Sequence, residues 1–252
     1  MKKLFVAAAV ALTMLAVPRS FAQISVGGGY ANYVMTQVMA SDGSRASEAY
    51  NGFHITGDWM MPLFGQVSFY PGISFTIVMH KSQGNIFVPA GDAPGMYEGK
   101  MEMKHSFINI PLRVAYSLDL APSVRVTAFA GPAISWAFDG EYTETTDKVQ
   151  IWDNVLGKDV DYSWHSWPYK SQEAKGGAPA GPLLKNFDVK IGVGVAIDLF
   201  RHLRVTASYD LGLLNTVGTH YDYSKVGDVA VDPTAPSSVR SNLFQAGLAY
   251  VF

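Results

Sequence analysis

The segment from Phe187 to Leu199 alternates apolar and polar residues without interruption, and this pattern restricts the fold more than any other feature of the sequence. Its odd-numbered positions are all apolar, whereas its even-numbered positions hold charged residues, glycine and alanine. Successive side chains of a β-strand point to opposite sides, so a period of two predicts a strand with one apolar face. The alternation resumes between Leu203 and Leu213, and the two segments predict an antiparallel hairpin with a tight turn at 200–202.

Weaker alternation of the same kind predicts six further strands, near 24–36, 52–61, 66–79, 103–117, 124–138 and 241–252. The connections between the eight strands alternate in length: 62–65, 118–123 and 200–202 are short, whereas 37–51, 80–102, 139–186 and 214–240 are long. Short turns at one end and long loops at the other are typical of a transmembrane β-barrel. The predicted fold is therefore all-β, an eight-stranded antiparallel transmembrane β-barrel in an up-and-down meander, with short periplasmic turns and long extracellular loops.

The distribution of charge favours a membrane barrel over a soluble one. Charged residues make up 16% of the chain, against about 25% of an ordinary soluble domain. The apolar faces carry aromatic residues towards the strand ends, as the two interfaces of a bilayer require. The charged residues of the predicted strand cores all lie on the opposite face, with glycine and alanine between them: Asp58, Arg113, Arg125, Asp188, Lys190, Asp198, Arg204 and Asp210. A soluble periplasmic lipocalin-like ligand-binding barrel, which turns its charged face outward, is the alternative.

These four cations and four anions predict a network of ion pairs that plugs the lumen. An unpaired ion is costly in a low-dielectric interior, and an eight-stranded barrel is narrow enough for side chains to fill it. We therefore expect no wide conducting pore. The alternative, in which the charges are solvated independently in a wet lumen, stays open at this point.

The first 22 residues have the pattern of a cleaved secretory signal peptide. Lys2 and Lys3 precede an apolar stretch that runs from Leu4 to Val17, and Ser20 and Ala22 supply small residues before a cut at Gln23. We expect export to the cell outer membrane, with residues 23–252 forming a single outer-membrane β-barrel domain.

The last predicted strand carries apolar residues at alternate positions and finishes on Phe252. It resembles the last strand of Gram-negative outer-membrane barrels, which the barrel-assembly machinery reads during biogenesis. That resemblance implies an assembly signal, formed here by Phe244, Leu248, Tyr250 and Phe252.

Three short motifs are similar to those of the PorT-like family of outer-membrane β-barrel proteins: residues 70–75 (YPGISF), 107–112 (FINIPL) and 129–132 (FAGP). Asn109 stands where that family usually has glutamate, so a lumen role of that carboxylate is not expected here. A named member takes part in protein secretion across the outer membrane. The resemblance therefore implies a barrel architecture and an envelope or secretion protein as partner.

The predicted loop 139–186 concentrates aromatic residues among carboxylates: Trp152, Tyr162, Trp164, Trp167 and Tyr169. Tryptophan and tyrosine dominate the energetically important contacts of interfaces, which suggests a surface that binds a glycan or a protein. The favoured interpretation is that these rings pack within the loop or against the barrel rim, because isolated exposed aromatic residues are uncommon.

The composition excludes several function classes. The chain has no cysteine, its net charge of −2 argues against nucleic-acid binding, and we expect no metal or cofactor. A lipid-A-modifying enzyme is a minor alternative, with His80, His105 beside Ser106, His165 beside Ser166, and His220 on the loop side of the strands. The sequence favours a non-enzymatic structural or interaction role at the cell surface, in contact with outer-membrane lipid and lipopolysaccharide.

Overall fold

The structure, a computed structural model, describes residues 23–39, 42–88, 95–150, 159–170, 172–173, 179–180, 184–200, 202–218 and 236–252. The predicted signal peptide lies outside these ranges. The described residues form eleven strands: β1 (Gln23–Met39), β2 (Arg45–Phe64), β3 (Val67–Val88), β4 (Gly95–Ala121), β5 (Val124–Gln150), β6 (Asp159–Ser166), β7 (Gln172–Glu173), β8 (Pro179–Ala180), β9 (Phe187–Leu199), β10 (Leu203–Gly212) and β11 (Pro236–Val251). Within the same ranges, no helix has the length and apolar character needed to cross a membrane.

Eight of these strands close an antiparallel ring, which confirms the predicted fold. The sheet runs β4-β3-β2-β1-β11-β10-β9-β5, and the pairing of β4 with β5 completes the circle. β6 pairs with the upper part of β5 and stays outside the ring, while β7 and β8 pair with each other. Closure leaves no open strand edge in the ring, as a hydrocarbon environment demands. The end that carries the short turns and Gln23 is the periplasmic end by analogy with other barrels.

The faces of the ring are inverted relative to a soluble barrel. On β9, Ile191, Val193 and Val195 are each about half exposed, whereas Asp188 and Lys190 are buried. The same outward exposure of large apolar residues recurs on the other ring strands. The soluble lipocalin-like alternative is therefore wrong, because its outer surface would have to be polar.

Aromatic rings mark both ends of this apolar surface. Phe75 stacks on Phe138 at one end, with a centroid separation of 5.4 Å. At the periplasmic end, Tyr250 lies parallel to the ring of His202 and edge-on to Phe252. Rings at two heights are the arrangement that the two membrane interfaces favour.

The strands extend further at the extracellular end than the sequence predicts. β2 begins at Arg45, β3 reaches Val88, β4 begins at Gly95 and β5 continues to Gln150. The predicted loops 37–51 and 80–102 are therefore wrong as loops, and 139–186 begins as strand. Beyond the bilayer both faces of a strand meet water, so the apolar alternation disappears although the hydrogen-bond ladder continues.

The parts of β3 after residue 79, β4 before residue 105 and β5 after residue 138 form, together with β6, a four-stranded extension that we call the extracellular sheet. β3 pairs with β4 from Lys81 opposite Glu102 up to Val88 opposite Gly95. β4 pairs with β5 here from Lys104 opposite Glu141 to Lys100 opposite Thr145, and β5 pairs with β6. Among the described residues, the barrel thus extends as a sheet beyond its membrane-facing surface.

Candidate functional site

Charged side chains of opposite sign follow one another across four neighbouring strands near the periplasmic end. The register places Asp119 opposite Arg125, Arg125 opposite Asp198, and Asp198 opposite Arg204. Arg125 donates from Nε to the Asp119 carboxylate at 2.7 Å, and Arg204 donates to both oxygens of Asp198. Arg125 therefore pairs outside the lumen network, at a turn where both partners are substantially exposed. The hydrogen bond from Arg125 holds the pKa of Asp119 below its usual range.

Arg204 is fully buried and joins four strands. Besides Asp198 on β9, its guanidinium donates to Ser25 and Gln23 on β1, at 3.1 Å each, and to the Tyr70 hydroxyl on β3 at 3.4 Å. The planar guanidinium has five donors in a fixed fork, so one arginine can bind partners in several directions. This one side chain therefore ties β10 to β9, β1 and β3 inside the periplasmic part of the ring.

Arg113 and Asp210 form a second ion pair that crosses the lumen. Arg113 lies on β4 and Asp210 on β10, three places apart around the ring. The Nη2 atom of Arg113 donates to the two carboxylate oxygens at 2.7 and 2.9 Å, and both side chains are almost completely buried. Gly192 lies against the Asp210 carboxylate, and any larger residue there would collide with it. The pair therefore links β4 to β10 across the interior of the ring.

Lys190 and Asp188 occupy the next level towards the extracellular end. The Asp188 carboxylate accepts from the Ser241 hydroxyl at 2.8 Å. Lys190 has its ammonium over the rings of Tyr33 and Phe107, with no hydrogen-bond partner among the described residues. Cation–π attraction of this kind compensates part of the lost hydration.

Asp58 faces a small cavity and accepts from the Thr56 hydroxyl. That cavity measures about 30 Å³, and a second one beside Lys190 measures about 20 Å³. Each has room for roughly one water molecule. A wider recess of about 660 Å³ opens at the periplasmic turn of β4 and β5.

Two described residues between β6 and β9, Tyr169 and Leu184, pack against side chains at the extracellular end of the ring. The ring of Tyr169 packs edge-on against His105, and its hydroxyl lies 2.6 Å from Nδ1 of that histidine. Burial raises the pKa of Tyr169 well above its ordinary value, so the phenol keeps its proton and donates. Leu184 packs into the same apolar cluster as Tyr33 and Phe107.

The predicted surface-binding residues have different fates. Trp167 is 43% exposed, whereas Tyr169 is partly buried against the apolar cluster around Tyr33 and Phe107. Trp152 and the side chains of Tyr162 and Trp164 lie outside the described residues.

The C-terminal strand presents its four predicted signal residues, Phe244, Leu248, Tyr250 and Phe252, on the outward face. β11 pairs with both β1 and β10, so this strand completes the ring at the position where the first and last strands meet.

The outer face of the extracellular sheet holds a polar cluster that the sequence analysis missed. His165 lies opposite Thr143 in the β5–β6 ladder, with its Nε2 atom 3.1 Å from the Ser163 hydroxyl. Its Nδ1 atom lies 3.4 Å from a Glu141 carboxylate oxygen and 3.1 Å from the Thr143 hydroxyl. Ser166, the serine adjacent in sequence, is buried instead. Recognition of β6 as a strand would have revealed this, because residues two apart share a face.

The other histidines of the loop side do not form a comparable arrangement among the described residues. His80 contacts the main-chain carbonyl of Ala49, His105 is buried under Tyr169, and His220 lies outside the described residues. No group of three or more potential metal-ligating side chains occurs among the described residues.

The sequence matches the family described as "Outer membrane protein beta-barrel domain" over residues 17–218. Similar solved structures include Ail, the attachment invasion locus protein of Yersinia pestis (11% identity over 92% of this chain and 99% of that one, TM-score 0.40). Also similar is Neisserial surface protein A, with 13% identity over 91% of this chain and 97% of that one and a TM-score of 0.42. The outer membrane protease OmpT of Escherichia coli has 13% identity over 92% of this chain and 97% of that one, with a TM-score of 0.42. No curated protein matches the sequence.

Proposed function

We propose that this chain, which belongs to the outer membrane protein beta-barrel domain family, is a closed barrel that displays its extracellular sheet to a partner at the cell surface. The observation that carries the proposal is the contrast between the two parts of the molecule. The lumen is crossed by the Arg113–Asp210 pair and holds cavities of about 30 and 20 Å³, whereas β3, β4, β5 and β6 continue far above the membrane-facing surface. Among the described residues these features argue against transport through the barrel, and the extracellular sheet offers a surface for interaction.

Conductance in planar bilayers tests the closed lumen. The purified protein should give no steady single-channel current, because the ion pairs leave no continuous water path. Steady currents from the wild-type protein would contradict the proposal. The double variant Arg113→Ala with Asp210→Ala removes the crossing pair and supplies the comparison protein in which current is expected to rise.

We infer further that the chain is a PorT-like member whose partner belongs to the secretion or envelope-assembly apparatus. The motifs at 70–75, 107–112 and 129–132 support this inference, and the extracellular sheet offers the surface. Purification after mild detergent extraction and surface cross-linking should recover an envelope protein with the wild-type chain. Shortening the β5–β6 connection should weaken the recovery, whereas shortening the β1–β2 connection at 40–44, outside the extracellular sheet, provides the matched control. Recovery that is unchanged by either deletion would place the partner elsewhere.

Two parts of the proposal concern biogenesis. Amino-terminal sequencing of the purified membrane protein should begin at Gln23, which tests the signal peptide at 1–22. Replacing Phe252 by serine should reduce the amount of folded barrel in the outer membrane while leaving the exported amount unchanged. Equal folded amounts would remove the assembly role from the aromatic residues of the last strand.

A further inference from the structure

Ser163, His165 and Glu141 form a contiguous row of hydrogen-bonding groups on the outer face of the extracellular sheet. Ser163 and His165 are two residues apart on β6 and so share a face. Glu141 reaches the same histidine from β5, beside its register partner Thr143. The Ser163 Oγ to His165 Nε2 distance is 3.1 Å, and the His165 Nδ1 to Glu141 Oε1 distance is 3.4 Å.

The partners of the imidazole determine which nitrogen carries its proton. A serine that donates to Nε2 requires the tautomer with its hydrogen on Nδ1, the atom that lies 3.4 Å from the Glu141 carboxylate. The lone pair of Nε2 then faces Ser163, and the serine hydroxyl donates to it. The Thr143 hydroxyl, 3.1 Å from Nδ1, is compatible with this tautomer because its oxygen can accept from Nδ1.

We propose that Ser163 is a nucleophile, His165 its general base and Glu141 the group that orients the histidine, and that they hydrolyse carboxylic esters at the cell surface. A serine hydrolase needs a nucleophile that contacts a base and an acid that orients the base. This arrangement occurs on unrelated folds. This activity goes beyond the display function and does not depend on a closed lumen.

The reaction balances with water as the second substrate. Ser163 Oγ bonds to the ester carbonyl carbon while its proton moves to His165 Nε2. The bond from that carbon to the alkoxy oxygen then breaks, and the proton passes from Nε2 to the departing alcohol. Water attacks the acyl-serine, giving one proton to Nε2, and collapse releases the carboxylic acid and returns the proton to Ser163.

Position and exposure make this site accessible to an ester. The side chains of His165 and Glu141 are 47% and 49% exposed, and Ser163 is exposed as well. Glu141 lies three residues beyond Phe138, which corresponds to about 8 Å above the aromatic level of the barrel for a tilted strand. Esters of outer-leaflet lipids and soluble esters can both reach this height. The two classes share the bond between the acyl carbon and the alkoxy oxygen.

A fluorophosphonate probe, which reacts with activated serines, tests the nucleophile on the full-length barrel in detergent. Peptide mass spectrometry should find the label on Ser163, and labelling should vanish in Ser163→Ala. It should fall by about 100-fold in His165→Asn, because general-base assistance is lost, and by a smaller factor in Glu141→Gln. Ser47→Ala is the matched control, since Ser47 is an exposed strand serine whose hydroxyl contacts Thr36 instead of a histidine.

Hydrolysis of a p-nitrophenyl ester and of esterified lipid in vesicles distinguishes the two sources of substrate. If Ser163 is required for hydrolysis of both the p-nitrophenyl ester and the lipid, the site accepts soluble esters as well as lipid esters. If only the lipid in vesicles is hydrolysed, the substrate is a lipid ester. Each variant must show the heat-modifiable migration of a folded barrel. The proposal is overturned if folded wild-type protein is not labelled at Ser163, or if labelling survives His165→Asn. Neither result would affect the conductance test of the closed lumen.

Discussion

The strands β3, β4 and β5 contribute to both the lumen and the extracellular sheet. The charged pairs of the two regions nevertheless differ in how far water reaches them. Arg204 and Asp198 are buried and bound through two hydrogen bonds, whereas Lys81 and Glu102 lie in the sheet with side-chain exposures of 70% and 44%. Water competes with the second pair and is excluded from the first. Ion pairs of this chain therefore act as structural elements inside the ring and as solvated surface groups above it.

The glycines repeat this comparison. Gly192 and Gly72 leave the space that the carboxylates of Asp210 and Asp58 occupy. A methyl group added at Gly84, in the extracellular sheet, would lie close only to the flexible end of the Met101 side chain. Packing therefore constrains the residue type at Gly192 and Gly72 far more than at Gly84, whereas Gly140, under the ring of Tyr169, is a tightly packed glycine of the sheet.

The largest expected effect comes from replacing Arg204 by methionine. Asp198 would stay buried without its partner, and loss of one member of a buried pair costs about 3–5 kcal/mol. Unfolding in urea, followed by the gel mobility of folded and unfolded barrel, measures this loss. Lys81→Met is the control and should cost less than about 1 kcal/mol. Similar costs for the two variants would remove the distinction between the regions.

Gly192→Ala should be the next most harmful change. The added methyl group has no space beside Asp210, and overpacking of this kind costs about 1–3 kcal/mol. The same urea titration applies, with Gly84→Ala as its counterpart in the extracellular sheet. A barrel that tolerates both changes equally would show that the lumen can relax around Asp210.

Tyr169→Phe tests the cover of the extracellular mouth. The substitution keeps the ring and removes the hydrogen bond to His105, so the expected loss of stability is about 1 kcal/mol. Trp167→Phe, at a more exposed position of the same segment, should have less effect. A stability unchanged by Tyr169→Phe would mean that packing alone holds the segment in place.

The smallest effect is expected at the Arg125–Asp119 pair. Because Arg125 lowers the pKa of Asp119 in the folded protein, the pair stabilises the barrel above the pKa of an unfolded aspartate, about 3.9. This contribution is lost as the pH falls through the lower folded value. The difference in urea midpoint between wild type and Arg125→Gln should therefore shrink between pH 5 and pH 2.5. A difference that grows on acidification would contradict the assigned pairing.

The strand pattern was predictable because it depends on local sequence. Period-two alternation identified β9 and β10 almost to the residue, and the inward face of Lys190 and Asp210 followed from it. The upper halves of β3, β4 and β5 were not predictable in this way, because hydrogen bonding to neighbouring strands, rather than apolar alternation, keeps them extended. The same lack of signal concealed the Ser163–His165–Glu141 row, whose members come from two paired strands.

By itself, the sequence determined the eight-stranded membrane barrel and the faces of its strands. Each outward apolar side chain is stabilised by the hydrocarbon independently of the others, so the pattern is local. The tertiary structure alone decided which charges meet. Arg113 pairs with Asp210 across 97 positions of sequence, and Arg125 pairs within its own turn, because ring closure and register set the distance between carboxylate and guanidinium. Exposure then decides whether such a pair is held inside the ring, as Arg113–Asp210 is, or lies in water, as Arg125–Asp119 does.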